Sequence, residues 1–179
     1  LEGGSAAVCV ASGMSAIFCA LTAIVSQGDH IVASANMYGG NISLLKNTLP
    51  RFGITSTFVD PTDIDAIEAA IQNNTKIVFG ELIGNPGLSV MDIEAVAKIC
   101  KKHHLPLMID GTFNTPYLCR CFDYGANIIV HSLTKWMGGH GTSIGGVVVD
   151  GGNFDWGASK KYPTLTEEYA PFSGINFWE

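Results

Sequence analysis

The chain has 179 residues, 47% of them hydrophobic and 15% charged, with a formal net charge of −6. That length and apolar content supply one domain with a real core and exclude a disordered chain, and the negative balance argues against a general nucleic-acid binder. No apolar run reaches the roughly 18 residues of a membrane span, and the longest, "SAIFCALTAIV" from Ser15, has no basic segment before it, so neither a membrane partner nor a signal peptide is expected.

Strand and helix signals alternate along the chain. "AAVCVA" (6–11) is a short apolar run that ends in "SGMSA", and a helix is expected from there to about Val25. "DHIVAS" (29–34) reads as a strand, 40–50 as a helix, and the β-branched "ITSTFVD" (54–60) as a strand stopped by Pro61. "TDIDAIEAAIQ" repeats apolar residues at helical spacing behind Thr62, a candidate N-cap. "KIVFGE" (76–81) is a strand, and Asn85-Pro86-Gly87 is a turn. "MDIEAVAKICKKHH" (91–104) is a helix with acid at its start and Lys101 and Lys102 near its end, as the helix dipole favours. "LPLMIDG" (105–111), "ANIIVHS" (126–132) and "IGGVVVD" (144–150) are further strands. Repeated β-α units predict an α/β fold with a mostly parallel sheet and helices on both faces. After Asp150 the pattern decays into an aromatic- and proline-rich stretch, so residues 1–157 are expected to form the core of one domain and 158–179 an irregular segment leading towards a further, smaller domain. The five cysteines, Cys9, Cys19, Cys100, Cys119 and Cys121, suit reduced thiols in a cytoplasmic protein. Cys119 and Cys121 lack a zinc spacing, and no metal site is expected.

In an open parallel sheet, ligands bind past the carboxyl ends of the strands. The polar residues there are Ser12-Gly13-Met14, Asn36 with Tyr38, Glu81 with Asn85, Asp110 with Thr112, and Ser132 to Lys135. A strand running through Ser12-Gly13 into a helix leaves free amides that bind phosphate; equally, Ser12 is an ordinary N-cap. The dinucleotide fingerprint Gly-x-Gly-x-x-Gly is absent there, which counts against an oxidoreductase of that type. Asp110 ends an apolar strand and either caps Gly111-Thr112 or serves as the partner of a ligand cation. Lys135 lies between "NIIVHS" and "WMGGHG", which predicts partial burial and a neutral, nucleophilic amine. Ser132 and Thr134 stand two apart, able to donate to one phosphate, and Gly138, Gly139 and Gly141 would let backbone approach a ligand. Tyr38 either packs in a loop or stacks on a planar ligand. A planar, phosphorylated ligand with an aldehyde for a lysine and a ring nitrogen for an aspartate satisfies all of these together: pyridoxal 5′-phosphate (PLP).

"SGMSAI", "MYGGN", "GELIGNPG", "MIDGTFNTP" and "HSLTKWMGGHG" resemble, in order and spacing, the Cys/Met-metabolism PLP-dependent enzymes of fold type I. The resemblance covers nearly all of residues 1–157, and "GGHGTSIGGVVVDGGNFDW" with Gly40 is most similar to the O-acetylhomoserine sulfhydrylase branch. It implies that Lys135 forms a Schiff base with the cofactor and then shuttles protons, with Tyr38 stacking on the ring and assisting transfer. It implies that Asp110 pairs with the ring nitrogen, that Gly13, Met14, Ser132 and Thr134 bind the phosphate, and that Asn85 reaches the ring oxygen. Glu81 and Thr112 would support them. The implied reaction is γ-replacement on O-acetylhomoserine by sulfide or a thiol in a cytoplasmic homo-oligomer, a dimer or a dimer-based tetramer. The alternatives are a related γ-lyase or cystathionine γ-synthase, or an inert folded module. The family's upstream Tyr-x-Arg motif has no match here, and neither Arg51 nor Arg120 stands where its carboxylate-binding arginine does. The resemblance is therefore to the central part of the PLP-binding domain.

Overall fold

The computed structural model describes residues 1–178. Seven strands form one sheet: β1 (Ala6–Val10), β2 (His30–Ser34), β3 (Thr55–Val59), β4 (Thr75–Glu81), β5 (Leu107–Asp110), β6 (Ile128–Ser132) and β7 (Gly146–Asp150), in the order β1-β7-β6-β5-β4-β2-β3. Strands β3, β2, β4, β5 and β6 are parallel, as the alternation predicts. β7 is antiparallel to both β6 and β1, which the β-α pattern does not foretell. The reason is local. Residues 133–145 hold no helix to carry the chain back across the sheet, so β7 returns beside its predecessor. Being antiparallel to β7, β1 points the same way as the parallel set. The carboxyl ends of β1, β2, β4, β5 and β6 thus share one rim.

The helices are α1 (Gly13–Ile24), α2 (Gly39–Ser43), α3 (Ile64–Ala69), α4 (Ile93–Lys102), α5 (Thr115–Leu118) and α6 (Pro163–Thr166). Two apolar clusters cover the two faces of the sheet. Ala16, Ile17, Ala20, Leu21 and Ile24 of α1 meet Met108 and Val130 on one face. Ile93, Val96 and Cys100 of α4 meet Ile109 and Ile129 on the other. Adjacent residues of β5 and of β6 therefore enter opposite clusters, as the two-residue period of a strand requires. No helix among the described residues is long and apolar enough to cross a membrane.

Two local expectations change. Asp63, not Thr62, caps α3: its Oδ1 accepts from the Ala66 amide at 2.9 Å, while the Thr62 amide and hydroxyl both donate to Asp60. The stretch 40–50 is not one helix. α2 passes into a π turn (Leu44–Thr48) and then a 3₁₀ turn (Leu49–Phe52). Pro50 lacks an N–H and its ring crowds the carbonyl four residues back, so a regular ladder cannot continue through it.

Past Asp150 the chain crosses the amino ends of the strands. Tyr162 is buried there, packed edge-on against Trp156 and Phe154 at 5.0 and 5.7 Å between ring centroids. Its hydroxyl lies 2.9 Å from the Lys76 carbonyl and 3.1 Å from the His104 carbonyl.

Candidate active site

A cavity of about 310 Å³ opens on the shared rim. Gly13, Met14, Tyr38, Asn85, Asp110, Thr112, Ser132, Thr134 and Lys135 all line it, as does Glu81. Ile17, Ile83 and Phe113 add apolar wall, and Asn41 completes the floor. The topology explains the convergence. Each strand of a parallel set delivers the residue just past its last apolar position to the same edge.

The amino end of α1 forms one side. Ser12 Oγ accepts from the Ser15 amide at 3.1 Å, so the serine is an N-cap. That leaves the Gly13 and Met14 amides at the first two helical positions, where a helix has no internal acceptor to offer. Ser132 presses directly against this turn. A Cβ on Gly13 would lie 2.6 Å from the Ser132 Cβ, so only glycine lets the two meet. Thr134 is tied back, its hydroxyl accepting from the Gly145 amide at 3.1 Å and lying 3.4 Å from the Gly145 carbonyl. Thr112 joins two of the strand ends: its hydroxyl donates to Asp110 Oδ1 at 2.5 Å and accepts from the Ser132 amide at 2.8 Å.

Two carboxylates lie on the floor. Asp110 is buried and takes both the amide and the hydroxyl of Thr112 on Oδ1, so it does cap that turn. Its Oδ2 is left with a 3.4 Å contact from the Asn41 amide. Burial pushes the Asp110 carboxyl up, and the Thr112 hydrogen bonds oppose the shift. Glu81 Oε1 accepts from the Tyr38 amide at 2.8 Å and from Asn41 at 2.9 Å. Burial, aided by the neighbouring Asp110 carboxylate, pushes Glu81 up to about 7.

Lys135 corrects an expectation. It is exposed, not partly buried, because Trp136 beside it also faces outward and the turn after β6 stands clear of the core. Its amine has no carboxylate partner among the described residues. Tyr38 stands at the start of α2 with its ring half exposed over the cavity. Asn36 is absent from the lining. Its side chain braces the loop after β4, donating to Ser89 Oγ at 2.6 Å and accepting from the Gly87 amide at 3.2 Å. The glycines after Lys135 serve the turn itself: a Cβ on Gly138 would lie 2.4 Å from the Leu133 carbonyl oxygen, and Gly139 and Gly141 have φ of +72° and +63°. Arg120 is spent on Asp123 at 2.8 Å and lies outside the cavity lining.

Sequence reasoning missed two groups. Asn41 is fully buried and touches both carboxylates, and the one signal for it was its place in "MYGGN". His131 Nε2 lies 2.5 Å from Glu2 Oε1 in a buried pair beneath the rim. The pair spans nearly the whole chain, so no local pattern announces it.

The family model for the Cys/Met metabolism PLP-dependent enzymes matches residues 1–171, beyond the 157 reached by motif resemblance. The chain is 48% identical over 179 residues to the O-acetyl-L-homoserine sulfhydrylase of Leptospira meyeri, covering all of this chain and 40% of that protein. It is also 48% identical to the homocysteine synthase of Schizosaccharomyces pombe, covering 100% of this chain and 42% of that one. The chain thus spans about two fifths of the length of these curated relatives. Among solved structures, a candidate O-acetylhomoserine (thiol)-lyase of Campylobacter jejuni carrying N′-pyridoxyl-lysine-5′-monophosphate superposes with a TM-score of 0.95 at 36% identity, over 98% of this chain and 44% of that one. Motifs, fold and identity across this chain agree, and the chain belongs to the Cys/Met metabolism PLP-dependent enzyme family.

Proposed function

We propose that the protein catalyses γ-replacement on O-acetylhomoserine, with sulfide or a thiol as the second substrate, giving homocysteine or a thioether and acetate. The observation that carries the reading is the company kept in one cavity: an unpaired Lys135 amine, a buried Asp110 with one oxygen short of donors, and the open end of α1 against Ser132. These groups fit pyridoxal 5′-phosphate. A buried carboxylate with an under-used oxygen suits a cationic ring nitrogen, and helix amides beside a hydroxyl suit a phosphate. The family and the sulfhydrylase relatives support the same choice.

When bound, the cofactor supplies an electron sink for the pair left on breaking a Cα–H bond. The chain's own residues would do the rest. Gly13 and Met14 amides, with the Ser132 and Thr134 hydroxyls, hold the phosphate. Lys135 would hold the cofactor through its aldehyde, and its Nζ, when free, would take the Cα proton. Asp110 would hold a proton on the ring nitrogen, with Thr112 fixing the Asp110 rotamer. Tyr38 would stack on the ring, and Asn85 would hold the ring oxygen. Met14, Ile17, Ile83 and Phe113 keep water from the reacting carbons. The five unpaired cysteines suit a cytoplasmic setting, and the resemblance supports a homo-oligomer.

The test is chemical. Purified protein mixed with pyridoxal 5′-phosphate and reduced with borohydride should carry the label on Lys135, and Lys135→Ala should lose both label and visible absorbance. Acetate released from O-acetylhomoserine should require sulfide. Label on another lysine, or sulfide-independent release of acetate, would reject the reading.

A further inference from the structure

Glu81 and Asp110 are register partners on the adjacent parallel strands β4 and β5. Their side chains therefore leave the same face of the sheet, about 5 Å apart at Cβ. Both are buried. Two carboxylates this close, away from water, do not both ionise; they hold one proton between them unless a cation intervenes. Asn41 sits between them with its amide nitrogen on Glu81 Oε1 and Asp110 Oδ2.

The donor inventory points the same way. The Tyr38 and Asn85 amides, the Thr112 amide and hydroxyl, and the Asn41 amide nitrogen face four carboxylate oxygens and the Asn41 carbonyl. Asn41 Oδ1 is buried with no donor at all. One added proton supplies a further donor to a cluster that leaves that oxygen without one. Burial raises both carboxyls, but Asp110 has the lower intrinsic pKa of the two and takes both Thr112 donors, so the charge rests on Asp110 and the proton on Glu81.

We propose that Glu81, Asn41 and Asp110 act as one proton-sharing unit in which Glu81 stays a neutral acid, Asp110 alone presents negative charge to the cavity, and Asn41 positions both. This deepens the proposed function, on which the meaning of the Asp110 charge rests; the proton sharing itself is a property of the chain without cofactor. Other titratable groups facing the pair are Tyr38 from the start of α2, Lys135 from the turn after β6, and His131 from behind Asp110.

The sign of the pH dependence follows. The folded chain keeps the Glu81 proton up to about 7, against an ordinary value of 4.5. Stability should then fall as pH rises through that window, with the deficit complete above it. In purified full-length protein without cofactor, Glu81→Gln should melt higher than the wild type at about pH 8 and lose that advantage at about pH 5. Asn41→Ala removes a donor to the Glu81 carboxylate and should move the wild-type midpoint upward. Infrared spectra of the wild type alone should show a protonated carboxylic-acid band that disappears as pH passes about 7, which keeps the proposal testable if a variant does not fold. A pH-independent gain in Glu81→Gln, an unmoved midpoint in Asn41→Ala, or no acid band in the wild type would each overturn it. Borohydride labelling of Lys135 in the same preparations reports on the cofactor reading separately.

Discussion

A Cβ at Gly40 would stand 2.4 Å from Cε1 of Tyr38 and 3.0 Å from the Met14 sulfur. No real structure tolerates the first distance, so any larger residue there moves the ring. The ring is half exposed and free to swing outward, so the fold itself need not suffer. Inside α2 an alanine even gains about 0.5–1 kcal/mol over glycine. Gly40→Ala should therefore leave the urea midpoint unchanged or raised, while affinity for pyridoxal 5′-phosphate falls roughly two- to tenfold, the worth of one aromatic contact. Absorbance titration with the cofactor measures the second quantity. A variant that binds as tightly as the wild type would show that the Tyr38 ring does not stack.

His30 opens β2 and ties three strands together, with Nδ1 2.8 Å from Thr75 Oγ1 and Nε2 2.9 Å from Thr57 Oγ1. Burial holds its pKa below the ordinary 6.5. An unfolded chain thus binds this proton first, so the histidine's contribution is complete above about pH 6.5 and is lost as pH falls through the lower folded value. As pH is lowered from about 7, this histidine alone should lower the melting temperature, at no more than about 1.4 kcal/mol per pH unit and against the opposite contribution of Glu81. His30→Asn should flatten that part of the slope. At the level of elements, much of this was readable beforehand. Strands such as "KIVFGE" and "LPLMIDG" are short apolar runs that stop at a carboxylate, and both the run and its stop are local facts. What stayed hidden was non-local. The antiparallel return of β7 depends on a missing crossover helix, Asn41 gains meaning only where β4 and β5 bring their last residues together, and the His131–Glu2 pair joins residues more than a hundred apart. Lys135 misled for a related reason: apolar neighbours in sequence suggested burial, yet Trp136 faces outward.

Across the whole molecule the sheet separates two tasks. Its carboxyl rim holds the cavity, and its amino rim is closed by Tyr162, whose hydroxyl bridges the Lys76 and His104 carbonyls. Tyr162→Phe removes one buried donor from two acceptors and should cost about 1–3 kcal/mol in urea denaturation, with cofactor affinity unchanged. A loss of affinity equal to the loss of stability would mean the two rims are coupled. The strand order carries a further consequence. Among the described residues β1 has one neighbour in the sheet, β7, made some 140 residues later. Until the ribosome has delivered β7, the segment AAVCV has no partner for either edge, and the amino end of α1 has no Ser132 to lean on. Such an unpaired strand is a template for wrong pairing, so this protein should lean on chaperones during synthesis more than its thermodynamic stability suggests. The cavity is then a late product of folding, complete only when β1 has been claimed by β7.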